Sequence, residues 1–359
     1  MIQFNNVFRG KRVLVTGHTG FKGSWLTLWL KELGAEVIGV SLPKDSNSNQ
    51  WRLNELSIDD CRLNICDATH LKMMLNEKCP EIVFHLAAQS LVRRSYQYPL
   101  ETWSTNVMGT ANLLEACRNL SSVKAIVVVT TDKCYENQEW SWGYRENDRL
   151  GGHDPYSASK ACAELVASSY RSSYFNSENA PLISTARAGN VIGGGDWSED
   201  RLIPDLVRAI EKNQTLEVRS PFATRPWQHV LESLSGYLLL GQKLLSGDKE
   251  FAQAWNFGPE PEGNRTVVDV LNVLNKHWKD MKWHLEEKPQ LHEARLLYLD
   301  SAMAQSKLGW QPVWRLEETL EKTAQWYRAW LENKEVISRK QLTAYVDAAV
   351  RANIGWAVT

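Results

Sequence analysis

The spacing of apolar and polar residues switches between two periods along the chain. "KRVLVTG" (11–17) is a short β-branched run closed by glycine, and "GSWLTLWLKELG" (23–34) follows with helical spacing and a terminal Gly34 suited to a C-cap. "AEVIGVSL" (35–42), "EIVFHLAAQ" (81–89) and "VKAIVVVTT" (123–131) read as buried strands. Between and after them, "TANLLEACRNL" (110–120) and "YSASKACAELVASSYRSSY" (156–174) carry helical spacing, and "PLISTARAGNVIG" (181–193) reads as one further strand. Strands alternating with helices over about 190 residues predict an α/β domain, a doubly wound parallel sheet with helices on both faces.

After Gly193 the rhythm changes. A glycine-rich loop leads into a helix within "RLIPDLVRAIEKNQ", and "RTVVDVLNVLNKHW" and "RLEETLEKTAQWYRAWLENK" read as two more. The expected organisation is a dinucleotide-binding domain over 1–188 plus about 231–255 and a smaller mixed α/β lobe over 189–230 plus about 256–359. The stretch 338–359 has the least readable pattern.

Composition narrows the class. The 359 residues are 43% hydrophobic and 23% charged, with 41 basic against 42 acidic side chains and a net charge of −1. That balance points away from nucleic-acid and membrane surfaces. No apolar run reaches the roughly 20 residues of a membrane helix, and "MIQFNNVFRGKR" has no signal-peptide core. The six cysteines (Cys61, Cys66, Cys79, Cys117, Cys134, Cys162) form no C-x-x-C pair. Reduced thiols in a cytoplasmic enzyme are the expectation, without disulfides or a metal site. The 16 tryptophans are expected mostly in the core, with some at a sugar site.

Gly17, Gly20 and Gly23 occupy "TGHTGFKG", between the first strand and the first helix. Glycines there allow a tight turn and a close approach of backbone N–H groups to a pyrophosphate at a helix N-terminus. Tyr156 and Lys160 of "YSASK" lie four apart on one helical face. A phenol has an unperturbed pKa of about 10. A neighbouring ammonium favours the phenolate and lowers that value, which makes a proton acceptor for an alcohol undergoing oxidation.

These motifs, with "HLAAQS", "STNVMGT", "TTDKCY", "ARAGNVIGGGD" and "TRPWQHV", resemble the extended short-chain dehydrogenase/reductases that act on nucleotide sugars. The resemblance covers nearly the whole chain and implies a Rossmann-type first domain. It implies an oxidising triad of Thr131, Tyr156 and Lys160. Epimerases of the family need no further acid or base at this strand end; 4,6-dehydratases must also expel water across C5 and C6, which takes one group for the C5 proton and one for the departing hydroxyl. Asp132 and Lys133 would fill those roles, and which is acid and which base stays open. Lysine at the second place resembles the branch acting on CDP-glucose. A 4-epimerase, a dehydratase for another nucleotide-glucose and a non-catalytic dinucleotide sensor are the alternatives.

The resemblance implies a recycled NAD, held by Gly17, Thr19, Gly20, Phe21, Gly23, Ser41, Asp67, Ala68, Leu86, Ala87, Ala88, Thr105, Tyr156 and Lys160. Ser41 stands where a NAD site usually has a carboxylate for the ribose; nearby Lys44 suits a 2′-phosphate and Asp45 a diol, so NADP stays open. For the nucleotide-sugar substrate, Arg225 and Arg295 match diphosphate positions, because a guanidinium fork suits paired phosphate oxygens. Ser90, Asn106, Asn190, Arg201, Arg219 and Asn256 complete the implied substrate set. The resemblance further implies a homodimer or homotetramer, pairing the helices of "NVMGTANLLEA" and "YSASKACAELVASSY", and a place in deoxysugar synthesis for a surface polysaccharide.

Overall fold

The computed structural model describes residues 3–42, 51, 54–278, 281–285 and 296–358. Seven strands build the main sheet: β1 (Arg12–Thr16), β2 (Glu36–Ser41), β3 (Asp59–Arg62), β4 (Ile82–His85), β5 (Ala125–Val129), β6 (Leu182–Ala188) and β7 (Ala254–Phe257). Their spatial order is β3-β2-β1-β4-β5-β6-β7, and every pairing is parallel. The order reverses between β1 and β4, so a crevice opens beyond the carboxyl ends of these strands. Register aligns those ends, with Thr16 opposite both Val40 and His85, and His85 opposite Val128.

Two differences from the predicted strands have simple causes. β3 reads "DDCR", with no apolar face, because it is an edge strand whose side chains are largely exposed. The run 181–193 is two strands: β6 ends at Ala188, and Val191–Ile192 pairs instead with Gln228–His229.

Helices cover both faces. On one lie α2 (Ala68–Lys78), α3 (Gly109–Cys117) and α4 (Pro155–Ser173), which bury Leu71, Leu75, Leu113, Leu114 and Ala167 with the sheet residues Leu14, Val83 and Ile126. On the other lie α1 (Phe21–Glu32) and, after α5 (Leu202–Glu211), the helix α6 (Val230–Leu245). Of the 16 residues in α6, 14 are buried, so this segment returns to the sheet. A second lobe is built from α5, helix Val267–His277, α7 (Leu316–Asn333) and short strands such as Thr224–Pro226 with Asn264–Thr266.

Helix α1 is apolar nearly all round, burying Trp25, Leu26, Leu28, Trp29 and Leu30. A helix of that kind needs cover on both sides. The sheet supplies one; the C-terminal stretch supplies the other. Helix α8 (Ser338–Arg351) and the final turn bring Tyr345 and Trp356 edge-on to Trp29, at 5.7 and 5.5 Å between ring centroids. Tyr345 also donates to Glu232 Oε2 (2.8 Å), while the backbone N–H groups of Val313 and Trp314 bind the same carboxyl (2.9 and 2.8 Å). Burial pushes Glu232 up to about 7, against those three donors. A carboxyl raised on folding holds its proton longer in the folded state, so stability falls as pH rises from the unfolded value, about 4.3, toward 7. Glu232→Gln is expected to flatten that fall, measured as the urea-unfolding free energy between pH 5 and 8.

Candidate active site

The turn after β1 is shaped by its glycines. Gly17 has φ +76°, and a Cβ there would lie 2.8 Å from the backbone nitrogen of Ala87. At Gly23 a Cβ would lie 2.1 Å from the Gly17 carbonyl oxygen. Gly20 is the N-cap of α1 and no side chain caps the helix. The first-turn N–H groups, which have no partner within a helix, therefore remain for a ligand. Only glycine lets the chain's own backbone close up at these two positions, and the resulting turn is a cradle that fits a dinucleotide pyrophosphate.

Beneath the turn, the strand ends are locked by buried polar groups. His85 Nδ1 meets Thr16 Oγ1 at 2.7 Å and its Nε2 meets Thr110 Oγ1 at 3.1 Å. Burial pushes His85 down to about 3, so the ring is neutral. Thr16 Oγ1 also accepts from the N–H groups of Leu86 and Ala87, both at 3.2 Å.

A cleft of about 530 Å³ runs from this turn to the second lobe. It is lined by Gly17, Thr19, Gly20, Phe21, Gly23, Ser41, Leu86, Ala87, Ala88 and Thr105. Thr131, Asp132, Lys133, Tyr156 and Lys160 face it from the end of β5 and from α4. Ser90, Asn190, Arg201, Arg219 and Arg225 line its other wall. Arg201 is held in place there: Nη1 pairs with Asp196 Oδ2 (3.0 Å) and Nη2 donates to Ser90 Oγ (3.4 Å). Arg219 pairs with Asp200 Oδ1 at 2.7 Å.

The strand end after β5 turns into a short helical segment, Asp132–Cys134. Thr131 Oγ1 starts it by accepting from the Lys133 N–H (3.3 Å), and donates to Asp132 Oδ1 (3.0 Å). Asp132 is buried, and its Oδ2 has no hydrogen-bond partner among the described residues. Burial raises the Asp132 carboxyl, while Lys133, the Thr131 hydroxyl, Arg225 and Lys22 pull it back. Lys160 Nζ donates to the Val129 carbonyl (3.1 Å), and burial lowers the amine to about 8 despite Glu164 one turn on.

Several expectations change here. Tyr156 was expected to be lowered by Lys160; burial instead pushes it up to about 12, opposed by the Thr131 hydroxyl and Arg201. Asp67 and Ala68 do not line the cleft. Asp67 caps α2, accepting from the His70 N–H (3.1 Å) and meeting His70 Nδ1 at 2.6 Å, while Leu63, Asn64 and Ile65 take the lining positions. Asn106 is consumed in the scaffold, accepting from the Gln89 N–H (2.8 Å) and donating to Ser159 Oγ (2.8 Å). Asn256, inside β7, accepts from the Tyr135 hydroxyl (2.7 Å) and donates to the Tyr144 carbonyl (2.8 Å). Lys44, Asp45 and Arg295 lie outside the described residues.

Sequence reading missed Lys22, which sits between two glycines of the turn and lines the cleft. The signal was a charged residue inside the first turn of a helix whose N-terminus must face the ligand. Trp227 also lines the cleft, while Trp25, Trp29, Trp255, Trp310 and Trp326 are wholly buried.

A glycine-turn cleft with a Thr–Tyr–Lys set at the neighbouring strand end defines the short-chain dehydrogenase/reductase class. Within that class, a model of the family described as GDP-mannose 4,6 dehydratase matches residues 14–323, and the chain belongs to that family. A CDP-glucose 4,6-dehydratase of Salmonella typhimurium is 48% identical over 359 residues, covering 96% of this chain and 99% of that protein. A dTDP-glucose 4,6-dehydratase of Streptomyces venezuelae, solved with NAD bound, is 26% identical with a TM-score of 0.75 over 90% of this chain and 98% of that one. An epimerase of Methanothermobacter thermautotrophicus shares the fold at a TM-score of 0.78 and 24% identity, over 94% of this chain and 96% of that one. Among the described residues no helix is long and apolar enough to cross a membrane.

Proposed function

We propose that this chain is a NAD-dependent lyase that converts CDP-D-glucose to CDP-4-keto-6-deoxy-D-glucose and water. The observation that carries this reading is the meeting, in one cleft, of Tyr156 with the buried Asp132 and the half-buried Lys133. An epimerase has no use for the couple; a dehydratase needs both members. The 48% identical relative supports CDP as the nucleotide.

NAD, when bound, supplies the hydride acceptor for C4, the later donor for C6 and a positive ring charge. Gly17, Gly20, Gly23 and the first turn of α1 would hold its pyrophosphate. Tyr156 takes the C4 hydroxyl proton, and the resulting ketone acidifies the C5 hydrogen. Asp132, whose carboxyl burial raises, gives a proton to the departing C6 hydroxyl, which leaves as water. Lys133 removes the C5 proton and returns one to C5 when C6 is reduced. Arg219 and Arg225 place guanidinium groups where a diphosphate would lie across the second wall.

Purified protein incubated with CDP-, dTDP-, UDP- and GDP-glucose is expected to give the alkaline absorbance of a 4-keto-6-deoxysugar from CDP-glucose. Product from the other sugars alone would overturn the CDP assignment, and no product from any would favour a sensor. Lys133→Ala is expected to keep C4 oxidation but lose solvent-deuterium incorporation at C5. Normal incorporation would remove Lys133 from its role.

Six free thiols fit a cytoplasmic enzyme. The packed pair α3 and α4 exposes Leu165 along α4, and Met108 is exposed immediately before α3. That apolar face supports a homodimer, or a homotetramer built from it, joined through these helices. The proposed product belongs to deoxysugar synthesis, and a surface polysaccharide is the destination we propose for the sugar.

A further inference from the structure

Lys22 takes no part in the steps above, yet it faces them. It is the second residue of α1, between Gly20 and Gly23, and lines the cleft with Asp132, Tyr156 and Lys160. Its Nζ donates to the Tyr237 hydroxyl (3.1 Å) and stands 5.6 Å from the centroid of that ring. Tyr237 is wholly buried on α6, outside the cleft lining, so the amine is tethered from behind it. In the same lining, Asp132 has one oxygen bound to Thr131 and the other buried without a hydrogen bond among the described residues.

We propose that Lys22 is a positioning residue for the elimination half of the reaction, whose charge, tethered by Tyr237, sets how readily Asp132 releases its proton. The proposal rests on the dehydratase reading above. The groups acting on this pair come from every neighbouring element. Asp132 feels Lys133 on its own turn, Arg225 on strand Thr224–Pro226 and Lys22 on α1; Lys22 feels Arg201 at the start of α5, Asp132 and Lys160 on α4. Burial, Arg201 and Lys160 drive the Lys22 amine down to about 7, with Asp132 opposing. Near neutral pH it therefore exchanges between neutral and charged forms. A neutral Lys22 leaves Asp132 its proton for the departing hydroxyl. A charged Lys22 stabilises the carboxylate once that proton has gone. Lys133 is then free to act on C5.

The test uses the full-length protein with NAD. Lys22→Met keeps the apolar stem and removes the charge; Lys22→Arg keeps the charge; Tyr237→Phe removes only the tether. The readout is the infrared carbonyl band of protonated Asp132, identified as the band lost in Asp132→Asn and followed through a pH titration. In Lys22→Met this band is expected to persist about one pH unit higher than in the wild type, because the carboxylate has lost a cation. Lys22→Arg, charged throughout, is expected to titrate at or below the wild-type pH, opposite to Lys22→Met, and Tyr237→Phe to shift in the direction of Lys22→Met by less. The kcat on CDP-glucose is expected to fall about tenfold in Lys22→Met, one pKa unit's worth, with KM nearly unchanged. Should Lys22→Met fail to melt cooperatively, Tyr237→Phe carries the test. A band titrating at the same pH in the variants and the wild type overturns the proposal. Wild-type protein making no product from CDP-glucose would overturn the functional reading, while the infrared titration would still report whether Lys22 governs Asp132.

Discussion

Tyr156→Phe is expected to stop the reaction at its first step, with kcat lower by about 10³- to 10⁴-fold, the upper part of what a positioned acid–base group contributes. The ring stays in α4 and keeps its packing, so folding, NAD content and KM are expected to change little. Only the hydroxyl that takes the C4 proton is lost. No ketone means no acidified C5 hydrogen, so deuterium exchange at C5 is expected to vanish together with water loss. Retained C4 oxidation separates Lys133 from Tyr156: the Lys133→Ala variant is expected to reduce the cofactor while losing C5 exchange and, with it, water loss. Single-turnover absorbance of the reduced cofactor checks the first step directly. A Tyr156→Phe enzyme within tenfold of wild-type rate would remove the phenol from the chemistry.

Glu164→Ala is expected to destabilise the protein by about 3–5 kcal/mol, the cost of leaving one partner of a buried ion pair uncompensated. Glu164 Oε2 meets Arg187 Nη2 at 2.8 Å, and both side chains are 3% exposed. The carboxyl also accepts from the hydroxyls of Thr130 and Thr185. Burial works against its ionisation, yet Arg187 and these hydroxyls hold the carboxyl below its usual range. A carboxyl depressed on folding stabilises above its unfolded pKa and loses that contribution as pH falls through the folded value. The deficit of Glu164→Ala is therefore expected in full at pH 7 and to shrink in acid. Urea unfolding at pH 7 and pH 4 measures both. A loss under about 1 kcal/mol at pH 7, the scale of an exposed pair, would show that the network tolerates an unpaired Arg187. Activity is expected to suffer too, since Thr130 precedes Thr131 and Lys160 lies one turn before Glu164 on α4.

Much of this was legible in one dimension. The glycine turn, the Tyr156–Lys160 spacing and the apolar runs of β1, β4 and β5 each depend on local geometry, which neighbouring residues carry. The edge strand β3 was not legible, because its partner supplies the pairing and its side chains need no apolar face. The internal partners of Asp67, Asn106 and Asn256 were not legible for a related reason. A polar side chain near a site looks alike in sequence whether it meets a ligand, caps a helix or satisfies a buried backbone group. Tyr156 shows the same limit in energy. Spacing put Lys160 one turn on, but burial raises the phenol, and the groups that oppose it are the Thr131 hydroxyl and Arg201, which come from other elements.

The order of residues by itself determined the alternating α/β rhythm, the phosphate-binding turn and the pairing of phenol and amine on one helical face, because these follow from periods of two and of about 3.6 residues. Tertiary structure alone decided that α8 and the last turn cover the outer side of α1, that Lys22 and Arg201 share the cleft with Asp132, and that Asp132 is buried, which raises its carboxyl. Those outcomes depend on which distant surfaces exclude water from one another, and no local spacing records that.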